Sequence, residues 1–208
     1  GFGDDHLLKS LQRAVALNVE HISAYHLTVE ERTRLGIMTQ RGEYRPVDEE
    51  QSEREYLLVE RVLAEAGYEH YEVSNYALEG CLAKHNSAYW AGVEYLGIGP
   101  GAHSFSGDDR TWCASTAKEY AEGDIRFEGE RLSVIDHLNE YIMTSLRRVE
   151  GIDLAYIADH YGEAQRRRVE RAARVWIDSG ALIICGDALA IPTSHLMLSD
   201  AIIETLFA

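Results

Sequence analysis

Cysteine is scarce in this 208-residue chain, and the three present, Cys81, Cys113 and Cys185, are odd in number and far apart. That argues against a disulfide framework and a Cys-x-x-Cys metal knuckle, and leaves buried or idle thiols as their default role. No run approaches the roughly 20 apolar residues of a membrane span. Residues 1–6, Gly-Phe-Gly-Asp-Asp-His, also lack the basic and apolar regions of a signal peptide. Both absences predict a cytoplasmic chain with no membrane span. Positive charge is short as well: 20 Lys and Arg stand against 35 Asp and Glu, a net −15. Residues 1–130 hold 12 basic and 24 acidic side chains, and residues 131–208 hold 8 and 11. Neither part has the surplus of Lys and Arg that a phosphate backbone requires, so no nucleic acid partner is expected.

The residues that are present suit a globular protein: 46% hydrophobic and 26% charged, in a length that buries a real core and holds one large or two small domains. Leu7, Leu8, Leu11, Ala14 and Val15 recur at helical spacing, which predicts an opening amphipathic helix that ends before Asn18. Residues 21–27, β-branched and aromatic in part, read as a strand. Pro46 and Asp48, with Gln51 three residues on, mark a second helix with Tyr56, Val59, Leu63 and Ala66 on one face and Gly67 at its end. Residues 69–73 read as another strand. Helix, strand, helix, strand is the rhythm of a parallel α/β sheet, whose ligands sit at the C-terminal strand ends. Residues 25–28 and 74–90 would then form the functional rim.

Further on, Asp108-Asp109 between residues 103–106 and 110–113 suggests a hairpin, and residues 115–121 a short helix. The composition changes around Gly129. Helical patterns come next at residues 134–149, 154–160 and 163–178, the last ended by Gly180. Residues 182–185 and 188–191, joined through Gly186-Asp187, read as a two-stranded wing, with a final helix from about Ser199. The expected architecture is α/β, with residues 1–130 as one unit and residues 131–208 as a small helical, winged-helix-like domain.

The densest chemistry lies in His85-Asn86-Ser87-Ala88-Tyr89-Trp90 and in Gly97-Ile98-Gly99-Pro100-Gly101-Ala102-His103-Ser104. Histidines, large aromatics and glycines together are expected where backbone approaches a flat or phosphate-like ligand while side chains grip it. Gly97, Gly99 and Ala102 have the Gly-x-Gly-x-x-Ala spacing of a dinucleotide fingerprint after an apparent strand at residues 94–98. Residues 103–108, however, read as strand and turn, not as the helix whose N-terminus would receive a pyrophosphate.

Together with Gly67-Tyr68-Glu69-His70-Tyr71-Glu72-Val73-Ser74-Asn75-Tyr76, these segments resemble the radical S-adenosylmethionine proteins of the oxygen-independent coproporphyrinogen III oxidase family. The likeness is to its heme-chaperone branch in particular, where a His-Asn-x-x-Tyr-Trp motif is the proposed heme-binding element. It runs from residue 21 to the C-terminus. The family's Cys-x3-Cys-x2-Cys motif, which holds a [4Fe-4S] cluster, is absent from the sequence. The resemblance therefore implies the C-terminal portion of a partial (β/α) barrel followed by the helical domain. It also implies heme or porphyrin as ligand, a heme-acceptor protein as partner, and contact with the missing N-terminal part of the barrel. S-adenosylmethionine and the cluster are implied for the full-length parent alone. Without cluster thiolates this chain cannot start radical chemistry, and no catalytic residue is assigned.

Under that resemblance His85 is the candidate heme-iron ligand, Tyr89 and Trp90 would stack on or wall off a porphyrin, and Asn86 would fix the loop or the histidine tautomer. The alternative is a loop whose aromatics plug the barrel mouth. His103 becomes a pocket residue or a histidine satisfied by neighbouring backbone. Leu27 and Thr28 fall where the family's strand end contacts the adenosine of its methionine cofactor, or they serve as core and rim. The sequence departs from the decarboxylating branch there and at Ser87-Ala88, where that branch has larger side chains. Glu69 and Glu72 read as structural, because alternation along a strand turns half its residues inward. Arg166, Arg167, Arg168, Arg171 and Arg174 read as a solvated helix face opposite Val169, Ala172, Ala173 and Trp176. The leading expectation is a heme chaperone. The second is an oxygen-independent coproporphyrinogen III oxidase, forming protoporphyrinogen IX by oxidative decarboxylation, and a DNA-binding regulator is disfavoured by charge.

Overall fold

The computed structural model describes residues 3–208; Gly1 and Phe2, part of the segment read for signal-peptide features, lie outside the described residues. Helix α1, Asp4–Ala16, buries Leu11 and ends where Asn18 turns the chain at φ 52, a conformation asparagine tolerates better than most side chains. Strand β1 is short, His21–Ser23, rather than the seven residues expected. Helix α2, Arg34–Gln40, was not legible in the sequence; the Thr33 hydroxyl caps it by accepting from the Gly36 N–H at 3.1 Å. Helix α3, Glu49–Glu65, starts as expected, with the Asp48 carboxylate accepting from Gln51 N–H at 2.8 Å, and it packs against α1.

Strands β2, Glu69–Glu72, and β3, Asn75–Ala77, complete a sheet ordered β1-β3-β2. The expected parallel sheet is wrong: both pairings are antiparallel. Val73 and Ser74 form a tight turn, and a two-residue connection can join only antiparallel neighbours. Helix α4, Lys84–Trp90, comes next. Strands β4, His103–Ser106, β5, Asp109–Cys113, and β6, Phe127–Arg131, make an antiparallel meander, with helix α5, Ala117–Glu122, between the last two. The hairpin falls where expected; β6 was not foreseen, and it runs across residue 130.

The C-terminal elements, together termed the C-terminal unit, are α6, Val134–Leu146, β7, Ile152–Asp153, α7, Leu154–Tyr161, α8, Glu163–Asp178, β8, Ile183–Cys185, β9, Ala188–Ala190, and α9, Ser199–Leu206. Its sheet is ordered β7-β9-β8. Leu138, Ile142, Leu146, Ile157, Val169 and Leu182 are fully buried in its core, and each such aliphatic side chain stabilises by about 1.5–3 kcal/mol. The basic helix face is only partly solvated: Arg166 pairs with Glu170 and Asp187, while Arg168 donates to the carbonyls of Leu206 and Phe207 and so caps α9.

Backbone hydrogen bonds join the N-terminal sheet to the C-terminal elements. Val73 N–H donates to Arg147 O at 2.9 Å, Val149 N–H to Tyr71 O at 3.3 Å, and Glu72 bridges Arg148. The free edge of β2 is thereby covered by the C-terminal unit, which removes an unpaired ladder. Among the described residues no helix is long and apolar enough to cross a membrane.

Candidate functional site

The stretch expected to be a loop at residues 85–90 is a helical turn, α4, without a side-chain N-cap. Helical spacing brings His85 and Tyr89 onto one face, four residues apart, with ring centroids 4.9 Å apart at 84°. Both are exposed; Asn86 and Trp90 are half-buried. Among the described residues no hydrogen bond joins Asn86 to His85, so the expected fixing of the tautomer is not seen. Tyr89 continues edge-on to Tyr95 at 4.8 Å, and Tyr95 lies 6.1 Å from Phe105. Tyr95 and Phe105 exchange both backbone hydrogen bonds, at 3.0 and 2.9 Å. An aromatic ladder thus links α4 to β4.

The glycine run serves this joint. The apparent strand at residues 94–98 reduces to the single Tyr95 bridge. A Cβ on Gly97 would lie 2.1 Å from the carbonyl oxygen of His103, so glycine is required for two backbones to touch. Gly97 N–H donates to Ser104 Oγ at 2.9 Å, and Glu94 accepts from Gly107 N–H at 2.8 Å. The next segment is strand β4, as read, and offers no helix N-terminus to a phosphate. His103 is exposed and stacks on Trp112 at 5.6 Å.

A group of polar side chains centred on buried Glu72 and Asn75 lies at the sheet end. Glu72 is 1% exposed and accepts from Ser74 N–H at 3.1 Å. Burial pushes its carboxyl pKa up; the Ser74 N–H, the Asn75 side chain, His21 and the Trp90 indole oppose the rise. Ser23 donates to Asn75, and His21 Nε2 meets the Tyr71 hydroxyl at 2.8 Å.

Two cavities divide the expected site residues. One of about 600 Å³ lies between α4, β4–β5 and α6–α7 and takes in Tyr89 and Trp90, but neither His85 nor His103 lines it. Leu27 and Thr28, beyond the end of β1, line the other, of about 560 Å³, with Tyr25, His26, Tyr44 and Glu55. There His26 is held by Ser52 Oγ, 3.0 Å from its Nε2. His137, Glu140, Tyr141, Thr144 and Arg148 line the first cavity and escaped the sequence reading. For those on α6 the available signal was a polar stripe at helical spacing along residues 137–144, opposite the buried Leu138, Ile142 and Leu146; Arg148 lies past the helix end. Cys81, Cys113 and Cys185 stay apart as free thiols, and among the described residues no group of three or more His, Cys, Asp or Glu could hold a metal ion. The described residues therefore do not supply a ligand set for a cluster.

No family model matches this chain. It is 35% identical over 211 residues to the heme chaperone HemW of Mycobacterium tuberculosis, covering 99% of this chain and 52% of that protein. To heme chaperone HemW of Bacillus subtilis it is 31% identical, over 76% of the chain and 43% of the relative. To the mitochondrial radical S-adenosyl methionine domain-containing protein 1 of Danio rerio it is 30% identical, over 95% and 48%. The chain spans about half the length of the curated relatives it matches. Its fold superposes on coproporphyrinogen III oxidase (HemN) from Escherichia coli, a radical SAM enzyme, with a TM-score of 0.70 at 15% identity, covering 96% of this chain and 50% of that one.

Proposed function

This chain belongs, as the C-terminal part, to the HemW- and HemN-like radical S-adenosylmethionine proteins, and on that premise we propose that its parent binds heme and passes it to acceptor proteins. The observation that carries this reading is α4: its His85 and Tyr89 stand exposed on one face, stacked edge to face. An accessible imidazole is the ordinary axial ligand of heme iron, and a neighbouring phenol ring offers the apolar contact that a macrocycle needs.

The cavity at Leu27 and Thr28 would receive the adenosine portion of S-adenosylmethionine in the parent; its mixture of phenols, aliphatic side chains and the Glu55 carboxylate suits a ribose and a purine. The cluster and its radical chemistry would belong to the remaining N-terminal part of the barrel. Exposed Leu96 and Ile98, at 80% and 83%, are apolar surface available to that part. The C-terminal unit runs helix, strand, two helices, then two strands, which supports a winged-helix-like reading, used here as a cap rather than for DNA. A cytoplasmic setting fits these properties.

The competing reading is coproporphyrinogen III decarboxylation. Anaerobic assays of the full-length parent separate the two: a chaperone retains heme, transfers it to an apo-acceptor and yields no protoporphyrinogen IX. Turnover of coproporphyrinogen III without heme retention would overturn the proposal.

A further inference from the structure

The cavity between α4 and the C-terminal unit has a lining at odds with the rest of the chain. In a protein of net charge −15, the charged and imidazole side chains facing it are Arg110, Arg148 and His137 against Glu140 alone. Arg110 is engaged by Glu140 at 2.6 Å, and His137 meets Asp108 at 3.2 Å. Arg148 is less committed: its Nε is buried without a hydrogen-bond partner, and Glu150 lies 3.8 Å away. A buried guanidinium N–H left unsatisfied costs free energy that an incoming anion would recover. Much of the remaining wall is aromatic, with Tyr89 and Trp90 on one side and Tyr141, Tyr156 and Tyr161 on the other. Tyr141 and Tyr156 lie 4.5 Å apart at 30°. The volume, about 600 Å³, is that of a site for a small organic ligand.

A cation beside flat apolar walls selects a flat, carboxylate-bearing ligand. Resting on the heme-handling reading, we infer that this cavity is the seat of the porphyrin's carboxylates, with Arg148 as their partner and Tyr156 as a wall of the macrocycle. The C-terminal unit is then part of the binding site and not only a cap. Arg148 is well placed for this because its backbone is already fixed by the bridge to Glu72, so its side chain starts from an anchored position.

The test uses metal-free protoporphyrin IX and its dimethyl ester, which has the same ring and no carboxylate charge, titrated optically into the 208-residue chain. We expect one equivalent of the acid to bind at least about tenfold more tightly than the ester, or roughly 1.4 kcal/mol. Arg148→Gln should abolish that preference, Arg148→Lys should retain part of it, and Tyr156→Leu should weaken both ligands. The Lys and Leu variants keep the test decisive if the Gln variant melts early. If Arg148→Gln leaves the preference intact, the cavity assignment falls and the heme reading, carried by His85 and the iron, stands. If the wild-type chain binds neither acid nor ester, the cavity assignment falls, and the heme reading, which rests on ligation of an iron that this probe lacks, is decided by heme titration of the same chain.

Discussion

His70 lies stacked on Tyr76 with ring centroids 4.1 Å apart, and Tyr56 approaches at 6.1 Å. Burial drives its pKa below the usual 6.5, against smaller upward pulls from the backbone at Val73 and Glu72 and from Glu60. The neutral ring is therefore the folded form. As pH falls below about 6.5 the unfolded chain takes up a proton that the folded one resists, and stability is lost towards the lower folded value. His70→Phe keeps the stack and removes the proton: its melting temperature should change less than wild type's between pH 7 and 5, by differential scanning calorimetry. Glu72 carries the opposite sign. Its raised folded pKa means that ionisation works against the fold as pH rises through that value. Glu72→Gln, whose amide oxygen can still accept from Ser74 N–H, should flatten that loss in the same scans. At this scale His85, Tyr89 and Trp90 stood out in the sequence because unusual residue types stand together, and the structure places them on α4. Arg148 and His137 did not stand out: a single Arg or His reads the same in a sequence whether it faces water or a cavity.

Elements were legible where side chains punctuate them. Asp48 and Gln51 marked the start of α3, and the carboxylate does cap it; Asp48→Ala should cost about 1 kcal/mol, read as a lowered urea midpoint with unchanged slope. The seven-residue α4 has no side-chain cap and too few turns to show a period, so its helical state was hidden. The Val73-Ser74 turn was hidden as well, because Val73 reads as a strand residue; that one reversal turned an expected parallel sheet into an antiparallel one. Gly151 shows how tightly the C-terminal elements meet. Its φ is +71, and a Cβ there would lie 2.2 Å from Leu189 O and 2.7 Å from Ala190 Cα. Gly151→Ala must therefore push β9 away and should destabilise by more than about 1 kcal/mol, seen as a lower thermal midpoint.

At the scale of the whole molecule, backbone hydrogen bonds between residues 71–73 and 147–149 join the N-terminal sheet to the C-terminal unit, and α4 sits beside that joint. The helical order of the C-terminal unit could be read from its apolar periodicity; its docking onto β2 could not, because pairing between segments some 75 residues apart leaves no local mark. The central claim is that this chain carries a heme site in which His85 takes part. An anaerobic heme titration of the chain beside its His85→Ala variant, followed by optical absorption, tests it most directly. Saturable one-site binding that the substitution weakens about tenfold or more, on the order of 1.4 kcal/mol, is the predicted result. Equal binding by both, or none by either, would contradict it.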